Sequence, residues 1–217
     1  MIHTYHCIPI HTLGGDLIAL DLKPRQTDPQ RGLSPDDRQD LETRFLNQLL
    51  TIEHYADYFQ QHGLLCCLTI DFQLARAVSQ SAFIQQILSQ LPFMRLKLSE
   101  DFPNLHDGLN NPLLRTLIEQ LNILWLDDLG AGDANLNALQ SKMFEAVKLD
   151  RQFFLDNVAK PWFSILIANI RQYTNRVIVE GVESEVQLDK LAASKIWGVQ
   201  GYYLPVLSMQ ELEGPTE

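Results

Sequence analysis

The sequence ILWLDD at residues 123–128 is a short apolar run, 123–126, that ends in two adjacent aspartates. The run is too short for a helix and has the length of a β-strand that is buried on both faces. Similar runs recur along the chain, and the helical segments between them indicate parallel strand pairing. The other runs are 64–70, 94–98, 146–149, 177–179 and 199–204, and the helical segments are 81–90, 112–121, 134–142, 152–172 and 184–194.

The beginning of the chain departs from this alternation. Residues 5–10 and 17–22 are predicted to form a β-hairpin whose turn contains Gly14 and Gly15, because glycine accepts the backbone angles of tight turns. Ser34 is a predicted helix cap, and Gly63 closes the apolar helical face that spans 41–59. The hairpin brings the strand count to eight. An α/β barrel with an irregular beginning is therefore predicted, since hairpin strands pair antiparallel.

Acidic residues follow the apolar runs in a regular way. In parallel α/β folds the carboxyl ends of the strands gather around one mouth, where ligands bind. We therefore expect a shared acidic site at that mouth. The acidic residues at or just beyond the strand ends are Asp71, Glu100, Asp127, Asp128, Asp150, Glu180 and Glu183.

Length and charge limit the remaining possibilities. The 217 residues are interpreted as a single domain, 1–217, and the formal net charge of −10 disfavours direct nucleic-acid binding. We find neither a signal peptide nor an apolar run long enough for a bilayer, so a soluble cytoplasmic protein without membrane contact is expected. Three cysteines, two of them adjacent, favour reduced and buried thiols.

Five motifs resemble those of EAL domains and occur in the same order as in that family. The motif with the two aspartates, LWLDDLGAGDANL, resembles the DDFGTGYSSL loop of the family, and RLKLSE takes the place of LELTE. The resemblance covers essentially the whole chain. The five motifs are RLKLSE at 95–100, LWLDDLGAGDANL at 124–136, VKLDRQFF at 147–154, VIVEGVES at 177–184 and GVQGYYL at 198–204.

The resemblance implies a modified TIM-like (β/α)8 barrel with an antiparallel first strand, and an enzyme that hydrolyses cyclic di-GMP with two Mg²⁺ or Mn²⁺ ions. Two such ions need several carboxylates, and they activate a bridging water. Mapped by motif, the metal ligands are Asp127 and Asp128, the catalytic residues are Lys148, Glu180 and Glu183, and the ligand-binding residues are Arg25, Gln200 and Glu100, the last of which tethers the loop after the paired aspartates.

Three metal-ligand positions depart from the family pattern. Asp21 replaces the name-giving glutamate and retracts the carboxylate, whereas Thr69 replaces an asparagine with a poorer cation ligand. Lys97 replaces the first glutamate of LELTE. A lysine charge at roughly 4 Å from a dication costs on the order of 8 kcal/mol at an effective dielectric constant of about 20. We expect Lys97 to pair with Asp127 instead and to replace the positive charge of the metal.

Three functions remain open. The first is a non-catalytic EAL protein without a cofactor that binds a protein partner, as do stand-alone degenerate EAL regulators of enteric bacteria, whose sequence the stretch LNN at 109–111 resembles. Its expected partner is a transcriptional regulator of motility or fimbriae. The second is an active phosphodiesterase with Mg²⁺ or Mn²⁺, and the third is an inactive receptor for cyclic di-GMP.

Overall fold

A computed structural model describes residues 5–24, 41–121, 123–132, 137–201 and 206–213. Eight strands close into a barrel, in the order β2-β3-β4-β5-β6-β7-β8-β1, and β1 pairs again with β2. The predicted α/β barrel is therefore confirmed. The strands are β1 (Tyr5–His11), β2 (Leu17–Pro24), β3 (Leu65–Thr69), β4 (Met94–Ser99), β5 (Leu124–Leu129), β6 (Ala146–Leu149), β7 (Arg176–Glu180), β8 (Gly198–Gln200) and the short β9 (Leu207–Ser208).

Strand β1 is the antiparallel member of the barrel. It pairs antiparallel with β2 on one side and with β8 and β9 on the other, whereas the strands from β2 to β8 pair parallel. The predicted hairpin is thus confirmed, with Gly15 at a φ of 94° in its turn. A connection as short as residues 12–16 can only join antiparallel strands, so the hairpin imposes the reversed direction of β1.

Helices cover the outside of the barrel. Gly63 ends α2 in the left-handed region, as predicted, but Tyr55 divides the expected long helix of residues 41–59 into two. The predicted helix 152–172 is likewise two helices, and α3 was missed. Ser34 lies outside the described residues. The helices are α1 (Leu41–His54), α2 (Ala56–His62), α3 (Phe72–Gln80), α4 (Ala82–Gln90), α5 (Pro112–Leu121), α6 (Asn137–Gln140), α7 (Arg151–Asn157), α8 (Phe163–Ile170) and α9 (Glu185–Leu191).

Two apolar regions hold the fold together. The larger packs the outer strand faces against the helices. The smaller consists of side chains from six strands that face one another inside the barrel, where small and large residues together fill the space. Its members are Ile10, Ala19, Cys67, Trp125, Ala146 and Ile178. Because side chains two residues apart on a strand share a face, residues 21, 127, 148 and 180 lie directly above this layer.

An ionic cluster lies at the amino-terminal end of the parallel strands. Glu145 accepts hydrogen bonds from Arg95, from Arg176 and, at 2.8 Å, from the indole Nε1 of Trp125. The guanidinium of Arg176 also lies 4.9 Å from the ring centroid of Trp197. We call these five residues the lower cluster.

Burial of Glu145 by itself raises the pKa of its carboxyl, but the hydrogen bonds and charges of the arginines outweigh it and hold the pKa below its usual value. The carboxylate of the lower cluster is therefore stabilised in its charged form.

The remaining global predictions concern the cysteines and the membrane. Cys7, Cys66 and Cys67 are buried free thiols, as expected. Across the described ranges, no helix combines the length and apolar character that crossing a bilayer requires.

Candidate functional site

The carboxyl ends of the strands carry a compact group of charged side chains inside the barrel. We call this group the mouth cluster. Its members come from β2, β4, β5, β6, β7 and β8, and barrel closure alone brings them together, since they are spread over most of the chain. They are Asp21, Lys97, Asp127, Lys148, Glu180 and Gln200.

A β-bulge places both aspartates of the motif at the mouth. Consecutive strand residues normally point to opposite faces, but the pairing of β5 with β6 shifts register between Leu126 and Leu129. Asp128 takes a positive φ of 56°, which aspartate tolerates better than most residues. Oxygens of Asp127, Asp128 and Glu180 consequently lie within 4.8 Å of one another.

Lys97 links two carboxylates of the mouth cluster. Its Nζ donates to Asp21 Oδ2 at 2.8 Å and to Asp127 Oδ2 at 2.6 Å. The contact with Asp127 is the one expected from the sequence; the contact with Asp21 was not foreseen. One signal for it was available in the sequence, because Asp21 is the one charged residue in the predicted strand 17–22, and a charge in a buried strand needs a partner.

Lys148 supplies a second buried ammonium. Its Nζ lies 2.9 Å from Asp127 Oδ1, 2.6 Å from Glu180 Oε2 and 3.4 Å from Asp21 Oδ2. It also donates to Gln200 Oε1 at 3.2 Å. The two lysines therefore bracket Asp127 from opposite sides, one on each carboxylate oxygen.

These groups are almost completely removed from water. The side chains of Lys97 and Lys148 are each 1% exposed, and that of Asp21 is 0% exposed. Buried charges are tolerated only when they are paired and hydrogen-bonded. Here the opposing charges meet that requirement, although Asp21 Oδ1 has no hydrogen-bond partner among the described residues.

The mutual pairing keeps the cluster ionised. Burial by itself lowers the pKa of both lysines, but the neighbouring carboxylates outweigh it and raise the pKa of Lys97 and, more strongly, of Lys148. Burial likewise raises the pKa of Asp21 and Asp127, yet the two ammonium groups hold the pKa of both carboxyls below the usual range. These four residues thus form an internal salt with two carboxylates and two ammonium groups, and Glu180 contacts it through Lys148.

This arrangement does not fit a pair of divalent ions. Asp127, Asp128 and Glu180 are close enough to ligate a cation, but Asp127 and Glu180 are already paired with ammonium groups. Lys97 lies between Asp21 and Asp127, which occupy two positions that the family resemblance assigns to metal ligands. A dication at that place would face a fixed positive charge in a region of low dielectric constant.

Glu100 supports the loop that follows the aspartates. Its Oε2 accepts hydrogen bonds from the backbone N–H of Gly130 at 2.9 Å and of Gly132 at 3.2 Å. Gly130 has a φ of 99°, and a Cβ at that position would lie 2.4 Å from the ring of Phe153. The tethering contact that the family resemblance implied for Glu100 is therefore present.

Other acidic residues of the predicted site serve different ends. Asp71 caps α3 by accepting from the backbone N–H of Leu74, and Asp150 caps α7 in the same way through Phe153. Glu183 pairs with Arg151 at 2.7 Å on the surface. The shared acidic site is therefore smaller than the sequence pattern predicted.

One further predicted residue remains apart from the cluster. Thr69 is exposed at the end of β3, where it pairs in register with Lys97. Arg25 lies outside the described residues. Among the described residues, the mouth cluster therefore keeps three of the positions that the family resemblance assigns to catalysis or metal binding, and one that it assigns to ligand binding. It adds the two substituted positions Asp21 and Lys97.

A cavity of about 460 Å³ opens beside the mouth cluster. Glu180 and Gln200 form part of its wall, so the cavity reaches the edge of the cluster. The cationic side chains of Lys23 and Arg151 also line the cavity. The cavity is large enough for a small organic ligand.

The comparison with protein families agrees with this geometry. The sequence model of the EAL domain family matches residues 27–205. The chain belongs to the EAL domain family. Within it, the chain is 29% identical over 209 residues to the cyclic di-GMP phosphodiesterase PdeH of Escherichia coli strain K12, an alignment that covers 90% of this chain and 80% of PdeH.

Proteins named as anti-FlhC(2)FlhD(4) factors are also similar to the chain. The putative anti-FlhC(2)FlhD(4) factor YdiV of Escherichia coli strain K12 is 26% identical over 172 residues, covering 77% of this chain and 72% of YdiV. A crystal structure of the EAL-like domain protein YdiV superimposes with a TM-score of 0.85 at 22% identity and covers 99% of this chain and 96% of that chain. The cyclic di-GMP complex of the phosphodiesterase PaMucR gives a TM-score of 0.65 at 18% identity, covering 97% and 94%. The modified TIM-like barrel is thereby confirmed.

Proposed function

We propose that this EAL protein is a non-catalytic cytoplasmic regulator that acts by binding a protein partner. The partner is a transcriptional regulator of motility or fimbriae, in a pathway of motility or biofilm control related to cyclic di-GMP. The observation that carries the proposal is the position of Lys97 between Asp21 and Asp127. An ammonium group there opposes the metal ions on which hydrolysis by the family depends.

The similarity to YdiV supports the identity of the partner. YdiV proteins are named for their action against FlhC(2)FlhD(4), and their alignment covers 77% of this chain. The superposition with YdiV extends over 99% of this chain. A partner-binding surface outside the mouth cluster would not need the metal ligands, so loss of catalysis and retention of the fold are compatible.

An active phosphodiesterase is the second candidate. It is favoured by the convergence of Asp127, Asp128 and Glu180 oxygens within 4.8 Å, and by the 29% identity to PdeH. Lys97 argues against it, because the lysine already neutralises one of these three carboxylates. The two candidates therefore differ in what they predict for divalent ions.

Titration of cyclic di-GMP into the purified protein, with and without Mn²⁺, separates the candidates when heat and product are followed together. We expect neither Mn²⁺ binding nor hydrolysis, and we expect the FlhC(2)FlhD(4) complex to co-purify with the chain. Hydrolysis would show the second candidate to be correct. Binding of the nucleotide without turnover would indicate a receptor.

A reconstruction variant provides the matched control. The triple variant Lys97→Glu, Thr69→Asn, Asp21→Glu restores the residue types that the family places at these three positions. We expect it to bind Mn²⁺, measured by calorimetry, under conditions in which the parent protein does not. Equal Mn²⁺ affinity in both proteins would remove Lys97 as the reason for lost catalysis.

A further inference from the structure

We infer that the ammonium group of Lys97 is a built-in counter-ion that holds residues 127–132 in one conformation without a divalent ion. The conformation of this segment then does not respond to divalent metal. The inference deepens the proposed function and rests on it for the absence of a bound metal ion. Its structural part concerns the chain alone.

The first step is the attachment of Asp127. Each of its carboxylate oxygens faces a different lysine, with Lys97 at 2.6 Å and Lys148 at 2.9 Å. Oδ1 also accepts a hydrogen bond from the backbone N–H of Asp128 at 3.2 Å. The carboxylate therefore links the two ammonium groups to the backbone of the next residue.

The second step is the path of the backbone beyond Asp127. The bulge and the positive φ of Asp128 turn the chain out of β5, and the N–H of Ala131 closes this turn on Asp128 O at 3.0 Å. Leu129 O accepts from the N–H of Asp150 at 3.0 Å, which fixes the segment to the start of α7. The turn geometry thus begins at the residue that the lysines hold.

The third step is the support at the far end. Glu100, three residues after Lys97 in the chain, accepts from the N–H groups of Gly130 and Gly132. Strand β4 and the residue just beyond it therefore anchor residues 127–132 twice, once through the Lys97 ammonium and once through the Glu100 carboxylate. Anchors at both ends restrict the conformations of the segment.

The fourth step is the charge balance. Lys97 brings one positive charge to Asp21 and Asp127, and Asp21 is 0% exposed. Without that charge, Lys148 alone would have to balance Asp21, Asp127 and Glu180, all of which it contacts. A dication could supply the missing charge, which is why replacing Lys97 by an acid should make the segment dependent on metal.

Hydrogen exchange measured by mass spectrometry on peptides that cover residues 127–132 tests the inference. In the parent protein we expect the same exchange in EDTA and in Mn²⁺. In the Lys97→Met variant we expect exchange of this segment to become about tenfold faster, while strands away from the mouth keep their protection. The Lys190→Met variant, at an exposed lysine of α9, should exchange like the parent.

The Lys97→Glu variant tests whether an acid at this position makes the segment dependent on metal. We expect fast exchange of residues 127–132 in EDTA and slow exchange in Mn²⁺. Slower exchange of the parent protein in Mn²⁺ would overturn the inference, as would parent-like protection of Lys97→Met or of Lys97→Glu in EDTA. If Lys97→Met does not fold, the parent and Lys97→Glu arms decide the question.

The experiment contains neither nucleotide nor partner. Failure of the inference therefore appears as a metal-responsive segment, whereas failure of the proposed function appears as turnover or as absence of the partner complex. The two failures are distinguishable.

Discussion

The two ends of the barrel differ in how they pair and bury charged side chains. The mouth cluster buries lysine ammonium groups that are 1% exposed, with three carboxylates around them. The lower cluster uses the guanidinium groups of Arg95 and Arg176, 14% and 37% exposed, around the single carboxylate of Glu145. Arginine suits this end because its planar group pairs with a carboxylate and stacks on an aromatic ring at once.

This difference indicates different purposes. The lower cluster lies near water, and its pairs join neighbouring elements at little desolvation cost. Desolvation of the mouth cluster costs more free energy. Because buried ion pairs often give no more stability than apolar packing would, stability alone does not account for charges at this place. Its acids stand at positions that the family uses for metal, and the lysines make their burial tolerable.

The largest expected effect comes from neutralising a carboxylate of the mouth cluster. Asp21→Asn leaves Lys97 and Lys148 with less negative charge in a dry environment, so we expect a loss of about 3 kcal/mol in the free energy of unfolding. Urea denaturation followed by circular dichroism measures it. A loss near zero would mean that the mouth cluster is more hydrated than its burial indicates.

The matched change at the other end should cost less. Glu145→Gln is also an isosteric neutralisation, and it removes charge-assisted hydrogen bonds that water can partly replace, so we expect a loss of about 1.5 kcal/mol. The same urea experiment applies. A loss equal to or larger than that of Asp21→Asn would erase the proposed contrast between the two ends.

Acid should remove the contribution of the lower cluster to the free energy of unfolding. In the folded protein the pKa of Glu145 is lowered from 4.5. The stabilisation that this carboxylate provides is therefore fully present at pH values above the pKa of the unfolded state, and it is lost as the pH falls through the pKa of the folded state. The difference in stability between the parent and Glu145→Gln should therefore narrow as the pH falls below about 4. Glu53→Gln, at an exposed residue of α1, is the control. A difference that stays constant with pH would contradict the expectation.

Salt should produce the smallest effect. Dissolved ions screen partly exposed ion pairs but not buried ones. Raising NaCl to about 1 M should therefore reduce the loss of unfolding free energy in Glu145→Gln by about 0.5 kcal/mol and leave that in Asp21→Asn unchanged. Urea curves of the three proteins at two salt concentrations provide the measurement. Equal salt dependence at both ends would show equal access of ions.

The sequence predicted the parts of the fold that depend on local pattern. Apolar runs of strand length gave β3 to β7 close to their observed bounds, and Gly63 was recognised as a helix end because its left-handed conformation favours glycine. Breaks inside helical patterns were missed. The residues between α7 and α8 carry no strong local signal except Pro161, and α3 lies so near α4 that Asp71 was interpreted as a site residue instead of a cap.

By itself, the sequence determined the barrel, the family resemblance and the charges available at the strand ends. Only the tertiary structure decided which charges meet. Asp21 and Lys97 are 76 residues apart in the chain, and Lys148 and Asp21 are 127 apart. Local spacing carries no information about contacts at that separation. Closure of the barrel places Lys97 between two acids, and the bulge in β5 brings Asp128 to the same mouth.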